Sequence, residues 1–281
     1  MPVRIRLATP TDLPRIAELR QQVGWGVRPW ALDAIGPPAG AIWVAIDPHA
    51  TAPADIVGCG SGIVHGRLGI VGNMIVAESH RRRGIGGQVL RAVLDFLQPR
   101  CDTIELNATP SGRPLYERFG FEPIAGYLAT NLSSELGAVS SSLSVSHATD
   151  AAALAAWDAE RFGGNRLRIL AAAIEDPERH VLTARGDELA GYAVARPTEA
   201  GIGPFVADST EAARTLLAAA GEAAPSIREW RIVVPGDNRV ATAWLGASGV
   251  ELEPHGTQMR LGHPPRRRSD AIWGVGAGAV G

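Results

Sequence analysis

The fold of this chain is decided by the stretch VAESHRRRGIGG, which runs from Val76 to Gly87. A strand is predicted to end near Ala77, and a helix to begin near Gly84. The first N–H groups of a helix have no partner within the helix, and the helix dipole favours negative charge at that end. This order of strand, turn and helix therefore predicts an anion site that suits a pyrophosphate.

Glycine and arginine in this stretch strengthen the prediction. Gly84 and Gly86 lack a Cβ, so the backbone can approach phosphate oxygens closely. The run from Arg81 to Arg83 adds charge that pairs with phosphate. Other phosphate signatures are missing, because the sequence has no GxxxxGK[ST] run and no third glycine of a dinucleotide fingerprint at Val89.

The residues after the turn have the pattern of an amphipathic helix from Gly84 to Leu97. Its apolar residues recur at steps of three and four: Ile85, Val89, Leu90, Val93, Leu94 and Leu97. A strand is predicted from Thr103 to Leu106. A short helix is then predicted from Ser111 to Phe119, ending at Gly120, where a left-handed cap suits glycine.

Two motifs in this order resemble the GNAT superfamily of acyl-CoA transferases. The loop of that family reads Arg or Gln, two residues, Gly, one residue, then Gly or Ala, and Arg81 to Gly86 matches it in full. Val76 also stands where the family has a valine. The next helix of the family ends in Leu-Tyr-x-x-x-Gly-Phe, which matches Leu115 to Phe121.

The resemblance implies acetyl-CoA as the acyl donor and assigns roles to particular residues. Main-chain groups near Ile75 and Val76 would pair with the pantetheine arm, and Tyr116 would protonate the departing thiolate. A neutral phenol suits that step, because thiols have a pKa of about 8.5 and tyrosine of about 10. The expected cofactor-binding residues are Ile75, Val76, Arg81, Arg82, Arg83, Gly84, Ile85, Gly86, Gly87, Thr109, Gly112 and Tyr116. The competing interpretations are an arginine-rich surface turn and a core tyrosine.

The group that deprotonates the amine is not assigned by the resemblance. The family often has a glutamate on the strand before Val76, but the residues from Gly69 to Val76 include no carboxylate. Asn73 is a candidate for holding a water. His65 and His80 titrate near neutral pH, although a lone histidine is more often a surface or packing residue.

The acceptor site of this family usually comes from the first two helices and the loop between them. The resemblance therefore makes Trp25, Trp30 and Asp33 candidate walls of that site, together with Asn73. Two tryptophans this close together could clamp an apolar or aromatic amine. The alternative is that they pack the helix onto the sheet.

The second half of the chain repeats the first at a spacing near 130 residues. Residues 206–209, VADS, correspond to residues 76–79, VAES, and residues 248–251 correspond to residues 119–122. A period of this length indicates a duplicated domain and not a solenoid. The resemblance extends to bacterial tandem GNAT proteins in which the C-terminal domain is degenerate.

The repeat lacks the chemical residues of the first half. Asp208 and Glu211 stand at the helix start, which suits capping but not phosphate binding. Leu245 stands where Tyr116 does, and leucine cannot donate a proton. We expect this domain to brace the first and to help wall the substrate site; the alternative is that it binds CoA by another route. The run from Arg266 to Arg268 is expected to be solvated.

Composition narrows the class of partner. The 281 residues carry a net charge of −2, so no basic field indicates a nucleic acid or an anionic membrane. All 27 basic residues are arginine, which excludes a lysine Schiff base. The two cysteines show no paired spacing, and the N-terminus lacks an apolar signal region. We expect a cytoplasmic bacterial protein without a metal; the oligomeric state is not indicated.

The sequence therefore predicts an α/β protein of two tandem GNAT-like domains, each with a splayed, mostly antiparallel sheet flanked by helices. Residues 1–131 form the expected CoA-binding domain, residues 132–146 a linker or crossing segment, and residues 147–281 the degenerate domain. The expected function is transfer of acetyl from acetyl-CoA to a primary amine of a small molecule. The alternatives are another acyl-CoA donor and a CoA-binding or partner-binding protein without turnover.

Overall fold

The computed structural model of the chain describes residues 3–25, 35–52, 55–137 and 140–276. Its strands in the first half are β1 (Arg4–Leu7), β2 (Gly40–Ile46), β3 (Ile56–His65), β4 (Leu68–Val76), β5 (Thr103–Ala108) and β6 (Glu122–Ser133). Its strands in the second half are β7 (Ser144–His147), β8 (His180–Arg185), β9 (Leu189–Arg196), β10 (Gly201–Ala207), β11 (Glu229–Pro235), β12 (Glu253–Gly262) and β13 (Ile272–Gly274).

Helices flank these strands in both halves. The first half has α1 (Leu13–Gln22), α2 (Ile85–Leu97) and α3 (Arg113–Glu117). The second half has α4 (Ala151–Phe162), α5 (Leu167–Glu175), α6 (Thr210–Ala223) and α7 (Arg239–Ala247). The mixed α/β fold predicted from the sequence is confirmed, and α3 is shorter at both ends than the predicted helix from Ser111 to Phe119.

Helix α2 packs onto the sheet as its periodicity predicts, with all six of its periodic apolar residues buried. Its N-cap is Gly84, whose φ of 77° is left-handed. Strand β3 accommodates the helix because it carries glycine where the helix crosses. A Cβ at Gly60 would lie 2.6 Å from Val89 Cγ1, and one at Gly62 would lie 3.1 Å from Val93 Cγ1.

One continuous sheet joins the two halves, in the order β1-β2-β3-β4-β5-β12-β6-β11-β10-β9-β8-β7. The β4–β5 and β10–β11 pairs are parallel, and the other pairs are antiparallel. The halves exchange strands where they meet, since β12 of the second half pairs with β5 of the first, and β6 pairs with β11. The splayed domains of the prediction are therefore fused through their last strands.

The halves also share a core. Helix α1 buries Ile16 and Leu19 in the same cluster as Phe162 of α4 and Leu170 of α5. Helix α2 packs in a separate cluster on the other face of the first half, and α6 and α7 do so in the second. Helices α1, α4 and α5 therefore lie between the two halves of the sheet, and α2, α3, α6 and α7 lie outside.

Candidate active site

Strands β4 and β5 part soon after they begin. They pair at Leu68 with Thr103, at Gly69 with Ile104 and at Ile70 with Glu105, and at no later residue. The edge of β4 that faces β5 is consequently unpaired beyond Ile70, along the part that contains Ile75 and Val76. Along these residues β4 has main-chain donors and acceptors that no neighbouring strand pairs with, and an extended ligand can pair with them.

A bulge in β4 accompanies the opening. Asn73 has a φ of 51°, and the pairing with β3 shifts between Cys59 opposite Ile75 and Ser61 opposite Gly72. The buried Asn73 side chain donates from Nδ2 to Ser61 Oγ at 3.0 Å, and its Oδ1 accepts from Arg20 Nη1. Asn73 is thus held in place by side chains and has a left-handed backbone beside the opening.

Arg20 is a site residue that the sequence reasoning missed. It lies on α1, is 5% exposed, and reaches the bulge 53 residues further along the chain. Its position four residues after the buried Ile16 places it on the apolar face of the helix. A charged residue on that face was the available signal, because an arginine there needs a buried partner.

The predicted phosphate loop lies at the end of β4. Arg81 Nε donates to Val76 O at 3.1 Å, which fastens the loop to the strand. Arg82 is left-handed, with a φ of 60°, and Gly84 follows with the same handedness. In the described part of the chain no carboxylate pairs with the three loop arginines, so their charge is available to an anion.

The glycines at the start of α2 differ in the space beside them. A Cβ at Gly84 would meet nothing within 4 Å, whereas one at Gly86 would lie 3.3 Å from Leu115 Cδ2. Gly87 faces Phe119 at 3.8 Å in the same sense. Together with Ile85, these residues form the start of a helix, where unpaired amides and the helix dipole favour an anion.

Tyr116 lies on α3, on the same face of the sheet as α2. Its side chain is 7% exposed and packs edge-on against Phe121, with 6.0 Å between ring centroids. Burial raises the pKa of its hydroxyl above the ordinary value, so the phenol stays protonated at neutral pH. The tyrosine is therefore a packed residue whose hydroxyl is protonated at neutral pH.

Thr109 and Gly112 connect β5 to the tyrosine. Thr109 Oγ1 accepts from Gly112 N at 3.2 Å, which fixes the turn before α3. A Cβ at Gly112 would lie 3.4 Å from Tyr116 Cε2. The turn therefore brings the backbone of residue 112 against the ring of Tyr116.

The acceptor candidates are described only in part. Trp25 packs against the core between the halves, and the Arg20 guanidinium lies 5.9 Å from its ring centroid. Trp30 and Asp33 lie outside the described residues. The two histidines considered as bases each have a partner. His65 Nδ1 lies 3.2 Å from Asn165 O, and His80 Nε2 lies 3.0 Å from Asp47 Oδ2.

The cysteines of the first half are unsuited to a covalent step. Cys59 is fully buried, and burial raises the pKa of its thiol to about 12. Burial also raises the pKa of Cys101 to about 11. Because the thiolate is the nucleophile, neither side chain is poised to accept an acyl group at neutral pH.

The second half has the same opening, but its own chain fills it. Strands β10 and β11 pair only at Gly201 with Arg231, and β10 is bulged near Gly203, whose φ is 144°. Strand β13 pairs with β10 in that gap, and Val275 N donates to Val233 O of β11 at 2.9 Å. A peptide strand therefore occupies the place that corresponds to the β4–β5 opening.

In the second half, the segment that corresponds to the arginine loop begins with an aspartate, Asp208, which forms ion pairs. Asp208 accepts from Arg161 at 2.7 Å and from Arg268 at 2.9 Å. The expectation that Arg266 to Arg268 are solvated is thus wrong for Arg267, whose side chain is 13% exposed and pairs with Glu105 at 2.6 Å, whereas Arg266 and Arg268 are exposed. These partners lie 60 and 162 residues away and could not be seen in a local charge run.

Among the described residues, no group of three His, Cys, Asp or Glu side chains could hold a metal ion. None of the helices built from them is long and apolar enough to cross a membrane.

Comparison with known proteins places both halves in one family. A family model described as an acetyltransferase (GNAT) domain matches residues 38–123, and another with the same description matches residues 154–274. The uncharacterised N-acetyltransferase YitH of Bacillus subtilis strain 168 is 28% identical over 192 residues, which span 66% of this chain and 66% of YitH.

Solved structures show the same architecture over the whole chain. A Pyrococcus horikoshii protein described as an acetyltransferase matches with a TM-score of 0.82 at 23% identity, covering 100% of this chain and 96% of its own. A tandem GNAT protein from the clavulanic acid biosynthesis pathway matches with a TM-score of 0.61 at 16% identity, covering 94% and 99%. The chain belongs to the GNAT acetyltransferases and carries two GNAT domains in tandem.

Proposed function

We propose that this protein transfers an acetyl group from acetyl-CoA to a primary amine of a small molecule, by direct attack of the amine on the thioester. The parting of β4 from β5 beside the arginine loop carries this proposal. It leaves an unpaired strand edge, a helix start and a buried phenol along one path. A pantetheine arm with a pyrophosphate at its end needs that order of groups.

In this proposal each residue has one role. The amides of Ile85 to Gly87 and the guanidiniums of Arg81 to Arg83 bind the pyrophosphate, and the main chain near Ile75 and Val76 pairs with the pantetheine. Thr109 and Gly112 hold the turn against which the bound thiol lies. Bound acetyl-CoA supplies an activated thioester, and Tyr116 donates its phenolic proton to the departing sulfur.

Direct attack is favoured over a covalent enzyme intermediate because the cysteines near β4 are protonated and buried. The amine must lose a proton, and no carboxylate on β4 can take it. Asn73, fixed by Arg20 and Ser61, is proposed to hold a water that passes the proton to solvent. The first domain, residues 1–131, then contains the chemistry, and residues 147–281 support it.

Release of free thiol from acetyl-CoA in the presence of a panel of primary amines tests this function. We expect thiol release that depends on the amine, and one acetyl-CoA bound per chain by calorimetry. Faster thiol release from succinyl-CoA or malonyl-CoA would favour the alternative in which the donor is an acyl-CoA other than acetyl-CoA. Tight acetyl-CoA binding without thiol release by any amine would favour the binding protein, and no binding would contradict both.

A further inference from the structure

A cavity of about 50 Å³ lies where the two halves exchange strands. Residues of the first half line it on one side, including Ile70, Glu105 and Asn107. Residues of the second half line the other side, including Phe162, Asp237 and Arg267. The cavity therefore exists only because both halves are present.

The cavity opens onto the place where β4 leaves β5. Ile70 and Glu105 are the last residues that these strands pair, and both line the cavity. Ile70 packs with α1 and α4, whereas the next residue, Val71, packs with α2. Side chains alternate across a strand, so Glu105 and Asn107 share the face of Ile70, opposite to α2 and Tyr116.

This placement separates the two reactants of the proposed reaction. The arginine loop and Tyr116 approach the β4–β5 opening from the face of α2. The cavity reaches the same opening from the face between the halves, where Arg20 also meets Asn73. An amine bound in the cavity would approach the thioester from the face between the halves. Tyr116, which is proposed to protonate the leaving sulfur, lies on the opposite face.

The polar atoms of the cavity are incompletely paired. Asn107 Oδ1 and Arg267 Nε are buried and have no hydrogen-bond partner among the described residues. Buried polar atoms are paired in most proteins, so two orphans in one cavity indicate a ligand with matching groups. Asn107 Oδ1 needs a donor, and Arg267 Nε needs an acceptor.

The carboxylates of the cavity differ in availability. Glu105 accepts from Gln258 Nε2 at 3.1 Å, from Arg260 Nε at 3.0 Å and from Arg267 Nη2 at 2.6 Å, so its charge is already matched. No residue in the described ranges pairs with the carboxylate of Asp237. Asp237 is exposed, unlike the buried Glu105, and its carboxylate is available to a cation at the solvent side of the cavity.

The phenol of Tyr127 adds a donor beside these groups. Burial raises the pKa of its hydroxyl, and the nearby charges of Glu105 and Asp237 act in the same direction. The hydroxyl therefore stays protonated and can donate to a carbonyl oxygen. Acceptors for an amine and donors for a carbonyl thus lie around one partly apolar space, whose lining includes Phe162.

We infer that this cavity is the acceptor site, and that it takes a primary amine bearing a neighbouring carbonyl or carboxylate, as in an amino acid or its amide. The amine lies toward Asp237 and Asn107, and the carbonyl toward Arg267 and Tyr127. Glu105, Asp237 and Arg267 line the cavity, and Arg260 pairs with Glu105 from outside the lining, so these four charges sum to zero, which suits a zwitterion. This inference rests on the proposed function and adds the second half of the chain to the site.

Three probes of similar shape separate the two recognition groups. Phenylalaninamide has both an amine and a carbonyl, phenethylamine lacks the carbonyl, and 3-phenylpropionamide lacks the amine. We expect calorimetry on the full chain to give phenylalaninamide an affinity at least about tenfold above either analogue, since each lost polar contact leaves a buried partner unpaired. Equal affinities for the three, or no binding of any, would overturn the inference.

Asp237→Asn tests the position of the amine, with Asp187→Asn as the matched control in the exposed β8–β9 turn. The first substitution should weaken the affinity for phenylalaninamide and for phenethylamine by up to about fivefold, through loss of an exposed charged acceptor, and should leave 3-phenylpropionamide unchanged. Asp187→Asn should change none of them. An Asp237→Asn variant that binds all three probes like the wild type would contradict the assignment.

An acetyl-CoA titration of the same variants keeps the two proposals distinct. If acetyl-CoA fails to bind while the amines bind in this order, the proposed function falls and the cavity site stands. If acetyl-CoA binds and amines release thiol with the KM of the wild type in Asp237→Asn, the cavity assignment falls and the proposed function stands.

Discussion

Tyr116 is buried against Phe121. Removing only its hydroxyl oxygen separates the contribution of its packing from that of its proposed chemistry. Tyr116→Phe keeps the ring and removes the proton. General acids contribute about 10²–10⁴-fold, so we expect kcat to fall by at least about 10²-fold while the affinity for CoA stays within about twofold. Steady-state kinetics and calorimetry measure the two quantities.

The matched control is Tyr192→Phe, another buried tyrosine, in the second half. Its hydroxyl donates to Asp158 Oδ1 and accepts from Arg166 Nη2, each at 2.8 Å, so its loss should lower the free energy of unfolding by about 1–3 kcal/mol. Activity per folded molecule should not change. A parallel loss of CoA affinity and kcat in Tyr116→Phe would remove the acid role.

Asp12 makes a predictable contribution to acid stability. The Arg6 guanidinium, helped by Thr9, lowers the pKa of Asp12 to about 2. An unfolded chain has a value of about 3.9, so this stabilisation is complete above that pH and is lost as pH falls toward 2. The difference in unfolding free energy between the wild type and Asp12→Asn should therefore shrink between pH 5 and pH 2. A constant difference would show that the ion pair contributes nothing.

At the scale of the element, the loop before α2 carries backbone strain at Arg82, one of the proposed phosphate-binding residues. Arg82 is left-handed without being glycine, which costs about 1–2 kcal/mol. Arg82→Gly should raise the free energy of unfolding by up to about 1 kcal/mol and yet weaken CoA binding, because a phosphate partner is lost. Denaturant unfolding should show a higher stability for this variant, and calorimetry should show a weaker affinity for CoA.

The comparison variant is Arg83→Gly, which removes the same charge from the next residue, where the backbone is not left-handed. It should lower stability and affinity together. If both variants lower stability, the strain argument fails for Arg82.

Strand β13 fills the opening between β10 and β11, and Trp273 holds it there. Trp273 is 2% exposed, donates from Nε1 to Ala207 O at 3.1 Å and packs against Trp244 and Phe205. Trp273→Ala should lower the free energy of unfolding by about 3–5 kcal/mol. The stoichiometry of acetyl-CoA should remain one per chain, because the loop of the second half still lacks its arginines and glycines. Two bound molecules would show that β13 alone blocks a second site.

At the scale of the whole molecule, the exchange of β6 and β12 makes each half depend on the other. Fragments cut after Ser142 should each lack a strand partner, for β5 in the first and for β11 in the second. We expect each fragment alone to aggregate, since unpaired sheet edges template association. Co-expressed fragments should form a soluble complex that binds acetyl-CoA, as size exclusion and calorimetry would measure. A monomeric first fragment with full affinity would contradict this dependence.

The sequence by itself determined the features that consecutive residues encode. The loop from Arg81 to Gly86, the helix α2 and the repeat near 130 residues were readable because periodicity and glycine placement act locally. Tyr116 and the missing counterpart at Leu245 followed from the same local alignment. These features specify the family and the candidate donor site.

Only the tertiary structure decided how the halves combine. The exchange of β6 and β12, the filling of the second opening by β13 and the Arg267–Glu105 pair all join residues far apart in the chain. Local pattern predicts that a strand exists but not which edge it pairs with, because that choice depends on shape and burial across the whole sheet. The cavity between the halves is a consequence of those long-range pairings, and no stretch of sequence predicts it.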